Sequence, residues 1–151
     1  MAERNGALES DGRDVFPEVV VIIIRRADGR LFVHQRRGDK ETFPLRFGLG
    51  AGGRMEPAES PGEAAVRELQ EETGLSAPLR RLFDLEYRDE QIERQLHVFE
   101  ATVPASGEVS WDHGEWEWCG WLTAEELAQL RASGQLCPDT AALYDRYRAA
   151  Q

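Results

Sequence analysis

The sequence contains little cysteine and no long apolar segment, and both absences narrow the class of protein. Its two cysteines, Cys119 and Cys137, form neither a disulfide framework nor a cluster of metal ligands. No apolar run approaches the roughly 20 residues that cross a bilayer, and the first residues do not resemble a secretory signal. We therefore expect a protein of the reducing cytoplasm, with Cys119 as a small buried hydrophobic residue.

Basic residues are also in the minority. The chain has 18 Lys and Arg residues against 28 Asp and Glu residues, which gives a net charge of −10. This charge disfavours a nucleic-acid polymer or an anionic membrane surface as the main partner. A small phosphorylated ligand remains compatible with it, because bound divalent cations would reverse the local sign of the charge.

The order of predicted elements indicates an α+β fold. With 151 residues, of which 41% are hydrophobic, the chain is long enough for one domain with a real core. We expect that single domain over residues 17–151, and a flexible tail or an additional edge strand over residues 1–16. Strands are predicted at 19–24, 31–36, 47–50, 79–88, 91–103, 109–112 and 116–122. Helices are predicted after residue 60, after Thr123 and from Asp139 to about Arg148.

Three carboxylates share one face of the helix predicted after residue 60. Glu68, Glu71 and Glu72 are spaced i, i+3 and i+4, so their side chains project to the same side. Like charges at this spacing repel one another, and a bound cation would offset that repulsion. Clustered oxygen ligands suit Mg²⁺ or Mn²⁺. The helix face therefore predicts a site for a divalent cation.

The same helix has clear predicted ends and follows a glycine-rich segment. Ser60 and Glu63 form a capping box, Pro61 occupies the first helical position, and Gly74 follows the last turn. Glycines before the helix let the backbone approach a ligand closely. These glycines are Gly48, Gly50, Gly52 and Gly53.

Segment 53–75 resembles the Nudix box, a motif of fixed residue types at fixed spacing. Nine positions meet that motif, namely Gly53, Glu59, Arg67, Glu68, Leu69, Glu71, Glu72, Gly74 and Leu75. The chain is therefore identified as a member of the Nudix family over about residues 17–131. The resemblance implies an α/β/α sandwich around a mixed sheet, and it makes a homodimer plausible.

The resemblance also implies an activity, which is hydrolysis of a pyrophosphate linkage in a nucleoside di- or triphosphate or in a nucleoside diphosphate conjugate. Mg²⁺ is the implied cofactor, with Mn²⁺ as the alternative. Glu68 and Glu72 are the implied metal ligands, Glu71 is a ligand or a base, and the backbone carbonyl of Gly52 is a further candidate ligand. Structural roles are implied for Gly53, Glu59, Arg67 and Gly74, with Glu59 and Arg67 as an ion pair.

A further carboxylate is expected from outside the motif. Glu115 and Glu117 lie two residues apart, so on a strand they would share a face. Glu115 also precedes Trp121 by six residues, a spacing similar to that of such a carboxylate in several Nudix branches. We expect Glu115 to be a metal ligand or the general base, and the catalytic groups to be among Glu71, Glu72 and Glu115. The exposed face of an edge strand is the alternative interpretation.

Basic and aromatic side chains near the glycines are candidates for binding the substrate. Arg36, Arg37 and Arg46 could each bind phosphate oxygens in bidentate fashion, or be solvated surface residues. The aromatic side chains could stack on a base or belong to the core. They are Phe43, Trp111, Trp116 and Trp118.

Two alternatives to a hydrolase remain open. A Nudix domain can sense a nucleotide without cleaving it, although such domains tend to lose motif carboxylates that this chain retains. Segments 31–37 and 119–127 resemble Nudix hydrolases related to isopentenyl-diphosphate isomerase. That isomerase needs a cysteine before the motif, and the first cysteine here is Cys119, so isomerase activity is not expected.

Overall fold

The structure is a computed structural model that describes residues 16–106 and 108–151. The tail or edge strand predicted for residues 1–16 lies, except for its last residue, outside the described residues. The strands are β1 (Glu18–Arg26), β2 (Leu31–Arg36), β3 (Phe47–Leu49), β4 (Ala51–Arg54), β5 (Leu79–Arg88), β6 (Glu93–Val103) and β7 (Trp116–Leu122). The helices are α1 (Pro61–Thr73), α2 (Ala124–Ala132) and α3 (Pro138–Ala149).

Strand β1 is the centre of a seven-stranded mixed sheet. It runs parallel to β6 and antiparallel to β2 and β4. The sheet continues from β6 to β5 on one side, and β2 pairs with both β3 and β7 on the other. The β-branched run in β1 is buried on both faces at its centre, where Ile22, Ile23 and Ile24 are fully buried.

Helices cover both faces of the sheet. Alternate β1 residues Val20, Ile22 and Ile24 face the apolar side of α1, whereas Ile23 belongs to the core that α2 and α3 complete. The predicted α+β class and the α/β/α sandwich are therefore confirmed. No helix in the described part of the chain is long and apolar enough to cross a membrane.

The helix ends follow the local sequence signals. In α1 the Ser60 side chain accepts a hydrogen bond from the Glu63 N–H, the Glu63 carboxylate accepts one from the Ser60 N–H, and Gly74 ends the helix at φ 74°. Thr123 and Glu126 form the same capping box at α2. The last helix begins at Pro138, one residue before the predicted start.

The predicted strand over 109–112 is wrong. The segment has no regular structure, because its backbone bonds go elsewhere: the Ser110 N–H donates to the Thr73 carbonyl at the end of α1. The Asp112 carbonyl accepts the Glu115 N–H, which makes a turn directly before β7. Glu115 lies in that turn and not on a strand, so the predicted strand face shared with Glu117 is also wrong.

Candidate functional site

Helix α1 and the turn before β7 enclose a cavity of 320 Å³, which we call the carboxylate cavity. It brings together the three helix carboxylates and Glu115, although Glu115 is 42 residues from the end of the helix in sequence. Its lining residues are Glu68, Glu71, Glu72, Asp112, Glu115 and Trp116. Two elements distant in the chain thus present their acidic side chains to one space.

Glu72 is a partly buried carboxylate of α1, and its pKa is strongly raised. Its Oε1 accepts a hydrogen bond of 3.0 Å from the Gly52 N–H of β4. Burial raises the pKa of Glu72 to about 7, and the nearby charges of Glu68, Glu115 and Glu71 raise it further against the opposing effect of the Gly52 hydrogen bond. A bound cation would compete with the proton for this group.

Glu68 lies directly against the glycine that opens the motif. Its side chain is 12% exposed, and the Arg67 Nη1 donates to its Oε2 at 2.9 Å. A Cβ atom at Gly53 would overlap the Glu68 carboxyl group, so only glycine leaves the space that this carboxylate occupies. Burial raises the pKa of Glu68, and Arg67 opposes that rise.

Arg67 ties the loop before α1 to the helix. It donates two hydrogen bonds to Glu59, of 2.7 and 2.9 Å, and a third to the Arg54 carbonyl. The bidentate pair holds the pKa of Glu59 down at about 2, with help from the Glu56 N–H. Arg67 also reaches Glu71 at 3.3 Å, although that carboxylate is largely exposed. The ion pair implied for Glu59 and Arg67 is formed in the structure.

The turn before β7 supplies two acidic groups. Glu115 is 57% exposed and lies 3.9 Å from the Lys40 ammonium. Asp112 was not a candidate from the sequence; its Oδ1 accepts the Gly114 N–H at 2.8 Å. The Asp-x-Gly spacing is a turn signal that could have indicated it. Glu117 lines neither the carboxylate cavity nor the cavity next to it.

A second cavity of 310 Å³, which we call the bridging cavity, continues from the first. It shares Glu68, Glu72, Glu115 and Trp116 with the carboxylate cavity, and it adds Arg36 and Lys40 as cations. The Arg36 guanidinium is held by the carbonyl and the hydroxyl of Thr42, at 2.9 and 3.1 Å. Lys40 was not a candidate from the sequence, because it lies in a loop without a recognisable motif.

The other two candidate arginines lie elsewhere. Arg37 pairs with Asp39 and donates to the His113 carbonyl, and Arg46 donates to the Leu136 carbonyl at 3.4 Å. Neither arginine lines the carboxylate cavity or the bridging cavity. Of the three arginines predicted to bind substrate, the structure therefore brings only Arg36 to the groove that the carboxylate cavity and the bridging cavity form together.

Aromatic side chains support the floor of the groove. The Trp116 ring is buried and stacks on His34 with ring centroids 4.6 Å apart. The His34 Nδ1 lies 2.7 Å from the Gly50 carbonyl, and burial lowers the pKa of this imidazole to about 4. Neutral His34 therefore donates from Nδ1 to the glycine segment. Trp118 is 42% exposed on β7 and lines neither of these cavities.

The carboxylates fit a divalent cation in kind but are not gathered around one point. Within residues 16–106 and 108–151, no group of three or more His, Cys, Asp or Glu side chains is arranged to hold a metal ion. Protein donors orient the two partly buried carboxylates instead, Arg67 for Glu68 and the Gly52 N–H for Glu72. Carboxylate oxygens are the ligands that such a cation prefers, and Gly53 leaves the space that the Glu68 carboxylate occupies.

Comparison with known proteins defines the class. A family model described as the Nudix domain matches residues 15–144. An uncharacterized Nudix hydrolase of Streptomyces coelicolor is 33% identical over 131 residues, covering 86% of this chain and 72% of that protein. The CTP pyrophosphohydrolase of Escherichia coli is 34% identical over 113 residues, covering 74% of this chain and 79% of that protein. The chain therefore belongs to the Nudix hydrolase family, a class of enzymes that cleave pyrophosphate linkages.

Solved structures agree on the fold. The Nudix domain of Shewanella oneidensis NrtR, complexed with ADP ribose, has a TM-score of 0.74 at 18% identity and covers 99% of both chains. A MutT protein of Methanosarcina mazei has a TM-score of 0.72 at 21% identity, covering 88% of this chain and 95% of that one. The branch related to isopentenyl-diphosphate isomerase is not shown by these matches and stays a prediction.

Proposed function

We propose that this chain is a Mg²⁺-dependent hydrolase that cleaves the pyrophosphate linkage of a nucleoside di- or triphosphate or of a nucleoside diphosphate conjugate. The observation that carries the proposal is the carboxylate cavity, in which the buried Glu72 has a pKa of about 7. A bound cation would strongly stabilise the ionised form of this carboxyl group, because it would offset both the desolvation cost and the repulsion from the neighbouring carboxylates.

Glu68 and Glu72 are the proposed metal ligands, with Glu71 and Glu115 at the open side of the cavity. The Gly52 N–H points at Glu72, and in a strand the N–H and C=O of one residue point to the same side. The Gly52 carbonyl is therefore directed toward the same space as Glu72. This direction supports Gly52 as a backbone ligand.

A bound divalent cation would supply charge neutralisation on the phosphate oxygens and a lower pKa for a coordinated water. The chain's own residues do the positioning. Arg36 and Lys40 of the bridging cavity are the cationic side chains available to bind phosphate oxygens of the substrate. Glu115 and Glu71 are the exposed carboxylates that can accept the proton of the attacking water.

The relatives support a small nucleotide as substrate. One of them is named for CTP and a structural neighbour binds ADP ribose, and the net charge of −10 disfavours a nucleic-acid polymer. A cytoplasmic location and a homodimer are consistent with this proposal and remain predictions.

The sensor alternative is less supported, because all motif carboxylates are retained and five acidic side chains line one cavity. The isomerase alternative lacks a reactive thiol. Cys119 lines neither the carboxylate cavity nor the bridging cavity, and burial raises the pKa of its thiol to about 11.

The experiment is a product assay with Mg²⁺ over nucleoside di- and triphosphates, nucleotide sugars, ADP-ribose and dinucleoside polyphosphates. We expect turnover of at least one class, and loss of that turnover in Glu72→Gln. Nucleotide binding without turnover of any substrate would refute the proposal and favour the sensor.

A further inference from the structure

A third cavity, of 260 Å³, lies on the α3 side of the sheet, and we call it the α3 cavity. It has apolar walls from four elements, together with polar side chains: the apolar residues are Val21 of β1, Leu49 of β3, Leu96 of β6 and Leu143 of α3. The ring of Phe43 lines it from the loop between β2 and β3. Apolar walls with one aromatic ring suit a flat heterocycle.

The α3 cavity is continuous with the proposed hydrolytic groove. It shares His34, Arg36, Gly52 and Gly53 with the bridging cavity, which in turn shares its acidic residues with the carboxylate cavity. The order along the groove is therefore carboxylates, then the cations Arg36 and Lys40, then apolar walls. A pyrophosphate linked to a sugar and a base has the same order of chemistry.

Two polar side chains of this cavity form a pair at its edge. The Arg94 Nη1 lies 3.3 Å from the Asp139 Oδ2, and the Asp139 side chain is only 15% exposed. Its other oxygen, Oδ1, accepts the Thr140 N–H in the first turn of α3. The pair therefore offers a fixed carboxylate acceptor and a guanidinium donor beside apolar walls.

We propose that the α3 cavity binds the base of the substrate nucleotide, and that Asp139 and Arg94 select a base with an exocyclic amine. The proposal rests on the proposed function and adds the class of base to it. An ionised carboxylate only accepts hydrogen bonds, so it pairs with the amine of cytosine or adenine and opposes the carbonyl oxygen that uracil or hypoxanthine has in its place. Arg94 donates to the ring nitrogen or carbonyl next to that amine.

The test measures binding without hydrolysis. The equilibrium Kd values of CMP, UMP, AMP and IMP are determined by calorimetry in EDTA, so that neither a divalent cation nor a cleavable linkage is present. We expect the amine-bearing member of at least one pair to bind roughly tenfold more tightly or better, because an unmatched buried acceptor carries a penalty of this size. Equal affinities within both pairs would overturn the proposal.

Asp139→Asn identifies the group responsible, since the amide can also donate to a carbonyl. We expect the ratio of the two Kd values within a pair to fall to within about threefold of one. The matched control Asp145→Asn should keep the wild-type ratio. Asp145 is on the same helix and its partner is Arg131 at 2.8 Å, outside the α3 cavity. An unchanged preference in Asp139→Asn would overturn the assignment.

Arg94→Gln provides a second variant if Asp139→Asn does not fold. It keeps the carboxylate and removes the guanidinium, so we expect weaker binding of every monophosphate with the amine preference retained. Unchanged affinities in Arg94→Gln would overturn the proposal. Because no step requires hydrolysis, absence of turnover in the product assay would refute the proposed function without deciding this binding test.

Discussion

Glu72→Gln is expected to stabilise the metal-free protein while abolishing its activity. Gln has nearly the same shape as Glu and keeps the oxygen that accepts the 3.0 Å hydrogen bond from the Gly52 N–H. The substitution therefore removes only the charge. That charge is largely buried and stands near the carboxylates of Glu68, Glu115 and Glu71, so its removal takes away both desolvation and repulsion.

The sign and size follow from the pKa of Glu72, which is about 7 in the fold against an ordinary 4.5. The native state binds the proton more tightly, so the stability contributed by this group is present below 4.5 and is lost as the pH rises through 7. The complete loss is at most about 3 kcal/mol, or roughly 6–12 °C in Tm for a domain of this size. Glu72→Gln does not titrate and avoids that loss.

The assay is urea unfolding of both proteins in EDTA at a series of pH values from below 4.5 to above 7. The free-energy difference between them should grow with pH, because every other titrating group is common to both. Glu71→Gln is the matched control: it neutralises the adjacent, largely exposed carboxylate and should give a small offset without this pH dependence. A Glu72→Gln protein that is less stable than wild type above pH 7 would refute the reasoning.

Three further variants test other parts of the site and the fold. Gly53→Ala should lower turnover in the product assay by roughly 10²-fold, because its Cβ would displace the Glu68 carboxylate. The control is Gly62→Ala in the open first turn of α1, which should leave turnover in the same assay unchanged. Arg67→Lys loses the bidentate contact with Glu59 and should reduce the free energy of unfolding measured by urea titration. Tyr147→Phe removes the hydroxyl that donates to Glu100 at 2.6 Å and should reduce it by about 1.5–3 kcal/mol with turnover unchanged. Loss of turnover in Gly62→Ala, or no loss of stability in the last two variants, would contradict these assignments.

The elements of the fold were predictable because their signals are local. Capping residues determine where α1 and α2 begin, and the β-branched run of β1 is recognisable without any partner strand. The segment 109–112 was mispredicted because its alternation resembles a strand while its backbone bonds go to Thr73 and to the turn at Glu115. Those partners are distant in sequence or depend on tertiary structure, which a local pattern does not contain.

The residues of the candidate site also fall into two groups, those that local sequence predicts and those that it does not. The carboxylates of α1 were predictable, since a helix fixes which residues share a face, and their motif is contiguous. Asp112 and Lys40 were not, because each reaches the groove from a loop whose course depends on the strands it connects. Arg37 shows the converse: it follows Arg36 directly in sequence, yet its guanidinium turns to Asp39 and to the His113 carbonyl.

The energetics of α1 link the stability of this protein to its chemistry. A helix that places Glu68, Glu71 and Glu72 on one side is destabilised by their repulsion, and burial of Glu72 adds a desolvation penalty. Arg67 relieves part of this repulsion by contacting Glu68 and Glu71, whereas the donor to Glu72 is the uncharged Gly52 N–H. A cation bound beside Glu72 would supply the missing charge, so added Mg²⁺ should raise the Tm of wild type by more than that of Glu72→Gln. An equal rise in both proteins would mean that the cation binds elsewhere.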